Sequence, residues 1–446
     1  MSTPAIEINP RRSALLEGHA NECLALLRIK APAAPESSAR RKPLNLALVI
    51  DRSGSMSGAP LQEAKRCAAM IIERLGPEDH AALVVYDNRV NTIMPAQAVS
   101  DRASFHRALA EVESGGSTAL FDGWLEGAAQ AAVVVEGDFL SRVLLLSDGC
   151  ANQGLQDVTA IEGHCREMAA TGISTSTCGL GRDFNEELMV AMATAGQGQS
   201  YYGETAEDLL DPFTEEFDLM RALCARKLHL QIETPRGIKV RVLNDYPRAG
   251  NDAWVLPDLA FGGEVWALVS VTVPARMCTP GATIENLLAA RVGYTDLGSG
   301  TSGTCSATLT LGTLPAAAYE TLAGDQRVAA RSRELRAAEL QLEAREAARR
   351  GDWDKVDRVL RKAEKEAADN PWVEQSLQAL RRHADARRTE EFSKEAIYKS
   401  RRMHTRQAAA DESVASYSQA VEMERPAFLR RKIEQGKRMS NKENPT

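Results

Sequence analysis

The spacing of apolar residues changes period twice along the chain. Leu44-Asn45-Leu46-Ala47-Leu48-Val49-Ile50 is a short, nearly continuous apolar run. Such a run predicts a strand buried on both faces of a parallel sheet. Pro60 then stands at a first-turn position, and Leu61, Ala64, Ala68, Ile71, Ile72 and Leu75 recur at helical spacing before Gly76-Pro77. Ala81 to Tyr86 predicts the next strand, and helices follow over 102–112 and 121–134. Arg142 to Ser147 reads as a third buried strand. A helix near 159–170, a strand near 173–179, a helix near 186–195, a short strand at Ser200-Tyr201-Tyr202 and a helix near 206–222 complete the series. This alternation predicts a doubly wound, mostly parallel α/β domain over residues 43–223, Rossmann-like in plan.

After that domain the period falls to two. Lys227 to Ile232, Lys239 to Val242 and Val265 to Val273 are read as alternating polar with apolar, with Gly and Pro between the runs, which predicts an antiparallel β-sandwich over 224–315. Extended apolar patches also occur over 5–30, and 31–43 is a Pro-, Ser- and Ala-rich loop. Residues 1–42 are therefore expected to pair with the sandwich strands, with the α/β domain inserted between. Over 316–425 the chain reads helical and charged. Leu335, Ala338 and Leu342 mark one apolar stripe, Val356, Val359, Leu360 and Ala363 a second, and Val373, Leu377 and Leu380 a third. Gly351-Asp352-Trp353 and Asn370-Pro371 stand between them, so a small bundle or a tetratricopeptide-like hairpin is expected. No clean 34-residue period supports a repeat array. Residues 426–446 are polar and expected to be disordered.

A length of 446 residues fits two to four domains, and 44% hydrophobic with 26% charged residues is ordinary for a soluble globular chain. Aromatics are only 5%, which gives little support for stacking on nucleic-acid bases, and no nucleic-acid partner is expected. Charge is uneven. Residues 316–446 hold 28 Lys+Arg against 23 Asp+Glu, leaving 26 against 38 in residues 1–315. The mildly basic end is best read as a solvated helical surface; nothing else supports a phosphate-binding arm. Cys23, Cys67, Cys150, Cys165, Cys178, Cys224, Cys278 and Cys305 are scattered without a C-x-x-C pair, which points to free thiols in a reducing compartment. The opening MSTPAIEINP has no apolar signal core, and no uncharged apolar stretch reaches 18 residues, so no membrane span is expected. A cytoplasmic location follows by default.

The residues that carry chemistry sit just after the predicted strands. Asp51-Arg52-Ser53-Gly54-Ser55 follows the first strand, Gly115-Gly116-Ser117-Thr118 precedes a helix, and Ser147-Asp148-Gly149 ends the third strand. In an open α/β sheet the carboxyl ends of the strands face one crevice, where all three segments can meet. The donors are two carboxylates and three hydroxyls, with no His or Cys. Oxygen-only ligation selects Mg²⁺, or Mn²⁺ or Ca²⁺, over Zn²⁺ or Cu²⁺. Asp51, Ser53 and Ser55 stand two apart, so a turning loop can aim them at one point, with Gly54 supplying backbone freedom. With hydroxyl and water ligands the ion keeps positive charge and seeks a further anionic oxygen, such as a partner's Asp or Glu. Taken singly, each residue also has an ordinary reading as helix cap or turn residue. Asp122 is read as a cap rather than as ligand to a second ion.

Asp51 to Ser55 matches the pattern D-x-S-x-S, and Thr118 and Asp148 fall at fitting places downstream. Together they resemble the metal-ion-dependent adhesion site of von Willebrand factor A domains, as in integrin inserted domains. The resemblance covers 43–223, and the layout around it resembles bacterial cytoplasmic-type members and inter-alpha-trypsin inhibitor heavy chains. It implies that Ser53, Ser55 and Thr118 ligate the metal directly and that Asp51 and Asp148 act largely through water. It implies too that a partner's acidic side chain completes the octahedron and that the last helix of the domain shifts on ligation. Arg52, Gly54, Met56, Ser117 and Gly149 are the expected partner contacts, with a solvated loop charge the other and favoured reading of Arg52. The expected function is therefore a metal-dependent protein-binding module or scaffold, not an enzyme. The alternative is a regulatory subunit of a multi-protein machine such as an AAA-type ATPase or kinase system. A phosphatase of the haloacid dehalogenase type would need a second Asp where Ser53 stands, and neither a phosphate loop nor an H-E-x-x-H zinc motif is present. A metal-free structural role would not require every ligand type to be retained.

Overall fold

The computed structural model describes residues 3–34, 42–134, 139–180, 185–203, 205–250, 252–367, 370–405 and 408–409. Three strands come first: β1 (Ala5–Pro10), β2 (Ala14–Leu16) and β3 (Asn21–Lys30). An α/β unit, Ser37–Arg221, then interrupts a second unit made of Met1–Glu36 and Ala222–Thr446.

The α/β unit contains β4 (Leu44–Asp51), α1 (Ala59–Arg74), β5 (His80–Tyr86), β6 (Val90–Ala98), α2 (Arg102–Ala110) and α3 (Leu120–Val133). It continues with β7 (Leu140–Ser147), α4 (Val158–Thr171), β8 (Ile173–Leu180), α5 (Glu186–Ala195), β9 (Gln197–Gly203) and α6 (Ala206–Arg221). The sheet order is β6-β5-β4-β7-β8-β9. All neighbours are parallel except β6, which pairs antiparallel with β5 at the edge. Sequence periodicity did not disclose β6. Its positions are half-exposed or exposed, and it includes Pro95, which an edge strand tolerates. The central β4 is buried at every residue, as its apolar run requires.

β8 is also buried throughout, yet its sequence is Ile-Ser-Thr-Ser-Thr-Cys-Gly-Leu. Its hydroxyls are satisfied inside. Trp124 Nε1 donates to Thr175 Oγ1 at 3.0 Å, Thr177 Oγ1 donates to Met189 O at 2.8 Å, and Arg142 Nε donates to Ser174 Oγ at 2.9 Å. A buried hydroxyl with a partner avoids the cost of an unmet hydrogen bond. Helix α3 lies close on the sheet because it is glycine-bearing there. A Cβ on Gly123 would stand 2.4 Å from Tyr86 Cδ1.

The second unit contains β10 (Leu223–Glu233), β11 (Lys239–Val242), β12 (Trp254–Leu256), β13 (Leu259–Ala260), β14 (Gly263–Val273), β15 (Thr283–Asp296) and β16 (Ser302–Leu314). One sheet has the order β1-β3-β14-β11 and the other β12-β10-β15-β16-β2. The pairs are antiparallel except β2 with β16, which run parallel. β3 pairs with β14 from Asn21↔Val273 to Lys30↔Glu264. Leu27, Ile29, Val265, Val269, Leu228, Leu230, Leu288 and Val292 come from both sheets and share one core.

The helices of this unit are α7 (Ala316–Glu320), α8 (Gln326–Arg349), α9 (Trp353–Ala367), α10 (Pro371–Asp385) and α11 (Thr389–Thr405), before a two-residue strand, β17 (Ala408–Ala409), on β14. Val328 and Leu335 of α8 pack on Leu26, Trp266 and Leu268. β14 is thus covered on both faces, which explains why Val265 to Val269 runs apolar without a break. Ala338, Leu340 and Ala344 of α8 join a different core with Val356, Leu360, Val373, Leu377 and Phe392. Because α8 buries two faces, the expected stripe ending at Leu342 is wrong there, and Leu342 is 37% exposed. Arg28 Nη2 meets Glu264 Oε2 at 2.6 Å, and Arg331 pairs with Glu334 and lies 4.9 Å over the Trp266 ring, so the α8 docking surface is also ionic. The tail expected to be disordered, 426–446, lies outside the described residues.

Candidate metal centre

β4 and β7 are adjacent at the centre of the sheet, so Asp51 and Ser147-Asp148 leave the same edge side by side. Three loops are stitched together there. Gly54 N donates to Gly116 O at 2.8 Å, and Gly115 N donates to Arg52 O at 2.7 Å. Asn152 N and Gln153 N both donate to Thr118 O at 3.2 Å, and Thr118 N donates to Asn152 Oδ1 at 2.7 Å. The loop after β4, the segment before α3 and the loop after β7 are therefore one hydrogen-bonded group.

Within it Asp51, Ser53, Thr118 and Asp148 are buried, and Ser55 is exposed. Asp51 Oδ1 accepts from Ser53 N at 2.9 Å, and Asp51 Oδ2 accepts from Ser147 Oγ at 2.7 Å and Tyr86 OH at 3.1 Å. Ser53 Oγ and Ser55 Oγ stand 3.1 Å apart, so the two hydroxyls converge. Asp148 Oδ1 accepts from Cys150 N at 3.0 Å. Gly149 adopts φ +68°, a conformation that favours glycine, and its N–H donates to Ser147 Oγ at 2.8 Å.

Burial pushes the Asp51 carboxyl up from its ordinary range; the Ser147 and Ser53 hydrogen bonds oppose this, and Asp148 nearby pushes it further up. Burial also raises the Tyr86 phenol well above its usual value, with the Asp51 charge adding to it. Among the described residues neither Asp51 nor Asp148 has a basic partner within ion-pair distance, and no group of three or more His, Cys, Asp and Glu side chains is placed to hold a metal ion. The donor set is two acids and neighbouring hydroxyls, which fits a hard divalent cation.

The expected partner contacts divide. Gly54 and Ser117 are exposed, and Ser117 Oγ donates to Gln153 Oε1 at 2.5 Å. Arg52 is half-buried and pairs with Asp87, Nη2 to Oδ2 at 3.0 Å. Met56 is fully buried in a 3-10 turn, Gly54–Met56, and presents no surface to a partner. Gly149 is buried as well. Asp122 falls in the first turn of α3 rather than at its N-cap, Ala119, which has no side-chain cap. The sequence did not single out Tyr86, Asp87, Asn152 or Gln153. They carry no local motif, and only the fold brings them to the loops.

Residues 45–215 match the von Willebrand factor type A domain family. The chain carries a von Willebrand factor type A domain. A von Willebrand factor type A structure from Catenulispora acidiphila superposes with a TM-score of 0.68 at 16% identity, covering 90% of this chain and 97% of that one. The ArnB paralog VWA2 from Sulfolobus acidocaldarius gives 0.59 at 16% identity, covering 90% and 98%. These likenesses show a shared fold extending beyond the von Willebrand factor type A domain. Among curated relatives, an uncharacterized protein of Synechocystis sp. is 31% identical over 211 residues, 46% of this chain and 49% of that protein. Human inter-alpha-trypsin inhibitor heavy chain H4 is 26% identical over 199 residues, 39% of this chain and 21% of that protein. The chain thus spans about half the length of the first relative and about a fifth of the second. No helix among the described residues is long and apolar enough to cross a membrane.

Proposed function

We propose that the von Willebrand factor type A domain is a metal-dependent protein-binding module, with Mg²⁺, or Mn²⁺ or Ca²⁺, held by Asp51, Ser53, Ser55, Thr118 and Asp148. One observation carries this reading. Two buried carboxylates, Asp51 and Asp148, lie at adjacent strand ends without a basic partner among the described residues, beside the converging hydroxyls of Ser53 and Ser55. Uncompensated buried charge is costly, and a bound cation relieves it. The bound ion would supply positive charge for a partner's carboxylate. The chain's own part is to hold the oxygens: Tyr86 and Ser147 orient Asp51, and Asn152 ties down Thr118. We further propose that the site performs no catalysis, because the five candidate ligands, Asp51, Ser53, Ser55, Thr118 and Asp148, offer only carboxylate and hydroxyl oxygens suited to holding a cation. Eight cysteines scattered without a C-x-x-C pair favour a reducing, cytoplasmic setting.

The test is thermal unfolding of intact protein and a Thr118→Ala variant in EDTA and in each cation. Saturation at a hundred times the dissociation constant adds about 2.7 kcal/mol to the intact protein. A smaller gain is expected for Thr118→Ala. No cation-dependent shift in intact protein would overturn the proposal.

A further inference from the structure

Arg52 is held in place more firmly than a solvated loop cation needs. Its N–H donates to Tyr86 O at 2.9 Å, and its carbonyl accepts from Gly115 N at 2.7 Å. Its guanidinium Nη2 reaches Asp87 Oδ2 at 3.0 Å, with the Arg52 side chain 22% exposed. Asp87 is itself fixed: Oδ1 accepts from Arg89 N at 2.7 Å, and its backbone carbonyl accepts from Ala119 N at 2.8 Å. Gly115 leaves the room for it, since a Cβ there would lie 1.9 Å from Asp87 Oδ2.

Yet the guanidinium is far from satisfied. Its buried Nε has no hydrogen-bond acceptor, and Nη1 makes no hydrogen bond among the described residues. Arginine offers five donors in a planar fork that suits carboxylates. A half-buried cation held in a fixed orientation keeps Nη1 for an acceptor from outside, while its Nε is buried away from an incoming group. Its partner Asp87 Oδ2 lies against Gly115, in the segment whose neighbour Gly116 O accepts from Gly54 N, so the guanidinium end belongs to the same group of loops as the candidate metal oxygens.

We propose that Arg52 is a second anion contact of this site, that Asp87 is its positioning residue, and that the partner segment presents two neighbouring carboxylates. One carboxylate meets the metal and the other meets Arg52. This rests on the metal-bridged reading given above. It adds the partner's chemistry: a paired acidic sequence rather than a lone Asp or Glu.

The experiment uses the full chain and two labelled Gly/Ser peptides of equal length, one with a single central Glu and one with Glu-Glu, titrated in Mg²⁺ by fluorescence polarisation. Intact protein is expected to bind the Glu-Glu peptide on the order of tenfold more tightly, the range of a charge-assisted contact. Arg52→Gln removes that preference while the Mg²⁺-induced rise in melting temperature stays. Arg52→Lys, which keeps charge but not the fork, recovers part of it, and Asp87→Asn weakens it. Preference retained in Arg52→Gln overturns the proposal, as does failure of intact protein to bind either peptide while the Mg²⁺ shift is present. Loss of the Mg²⁺ shift in Arg52→Gln also overturns it, since Arg52 would then act on the loop rather than on the ligand. Absence of any Mg²⁺ shift in intact protein is a different result and removes the metal reading itself.

Discussion

Ser147 Oγ stands 2.7 Å from Asp51 Oδ2, a bond across the ends of two adjacent central strands. The same oxygen accepts from Gly149 N at 2.8 Å, so one hydroxyl orients a carboxylate and tethers the loop beyond β7. Ser147→Ala removes both bonds and leaves buried groups short of partners. The expected loss is about 1–3 kcal/mol in urea unfolding, with a smaller Mg²⁺ stabilisation than intact protein shows. A variant as stable as the parent, with an unchanged Mg²⁺ response, would mean Asp51 needs no orientation from β7.

Gly123 lets α3 approach Tyr86, whose hydroxyl donates to Asp51 at 3.1 Å. Tyr86 is fully buried and has nowhere to retreat. Gly123→Ala is therefore expected to destabilise by about 1–3 kcal/mol through overpacking, despite the better helix propensity of alanine. Equilibrium unfolding distinguishes this from the gain of up to about 1 kcal/mol that propensity alone predicts.

Arg142 and Glu216 form a close buried ion pair between β7 and α6, with Ser176 Oγ donating to the same Glu216 oxygen at 2.6 Å. Arg142→Met strands the Glu216 charge, and a loss of about 3–5 kcal/mol is expected. Combining it with Glu216→Leu should recover much of that loss. A double variant no better than the single one would show that packing, not charge, sets the cost.

His404 gives the second unit a pH dependence of known sign. Its Nδ1 accepts from Asp245 N at 3.0 Å, and its carbonyl accepts from Asn244 Nδ2 at 3.0 Å. Burial lowers its pKa from 6.5, assisted by the Arg401 cation and opposed by Asp245 and Glu339. The folded chain thus binds this proton less readily than the unfolded chain. Its contribution is full above pH 6.5 and is lost as pH falls below that toward the folded value, by at most about 1.4 kcal/mol per pH unit. Urea unfolding at several pH values should show a flatter profile for His404→Asn than for the parent. Identical slopes would assign the dependence to other groups.

Much of the α/β unit is legible in the chain because its signals are local. Leu44 to Ile50 reads as a buried strand, and Leu61 to Leu75 as one helix face, without reference to anything distant. β6 was not legible, because an edge strand needs no apolar run. Leu342 misled because α8 serves two cores, and a single stripe cannot describe a helix buried on two sides.

The sequence by itself determined the donor chemistry of the candidate site. Asp51, Ser53, Ser55, Thr118 and Asp148 can offer only hard oxygens, whatever their arrangement. It also determined the alternation of strand and helix that sends their loops to one edge. Tertiary structure alone decided which side chains surround them. Tyr86 lies 35 positions from Asp51 and Ser147 lies 96, and they meet because β5 and β7 flank β4. Met56 points inward although it directly follows the motif, and Asp87 reaches Arg52 only where Gly115 leaves space. Residue type acts over one or two bonds along the chain, whereas these contacts depend on strand order and on close packing between elements distant in sequence.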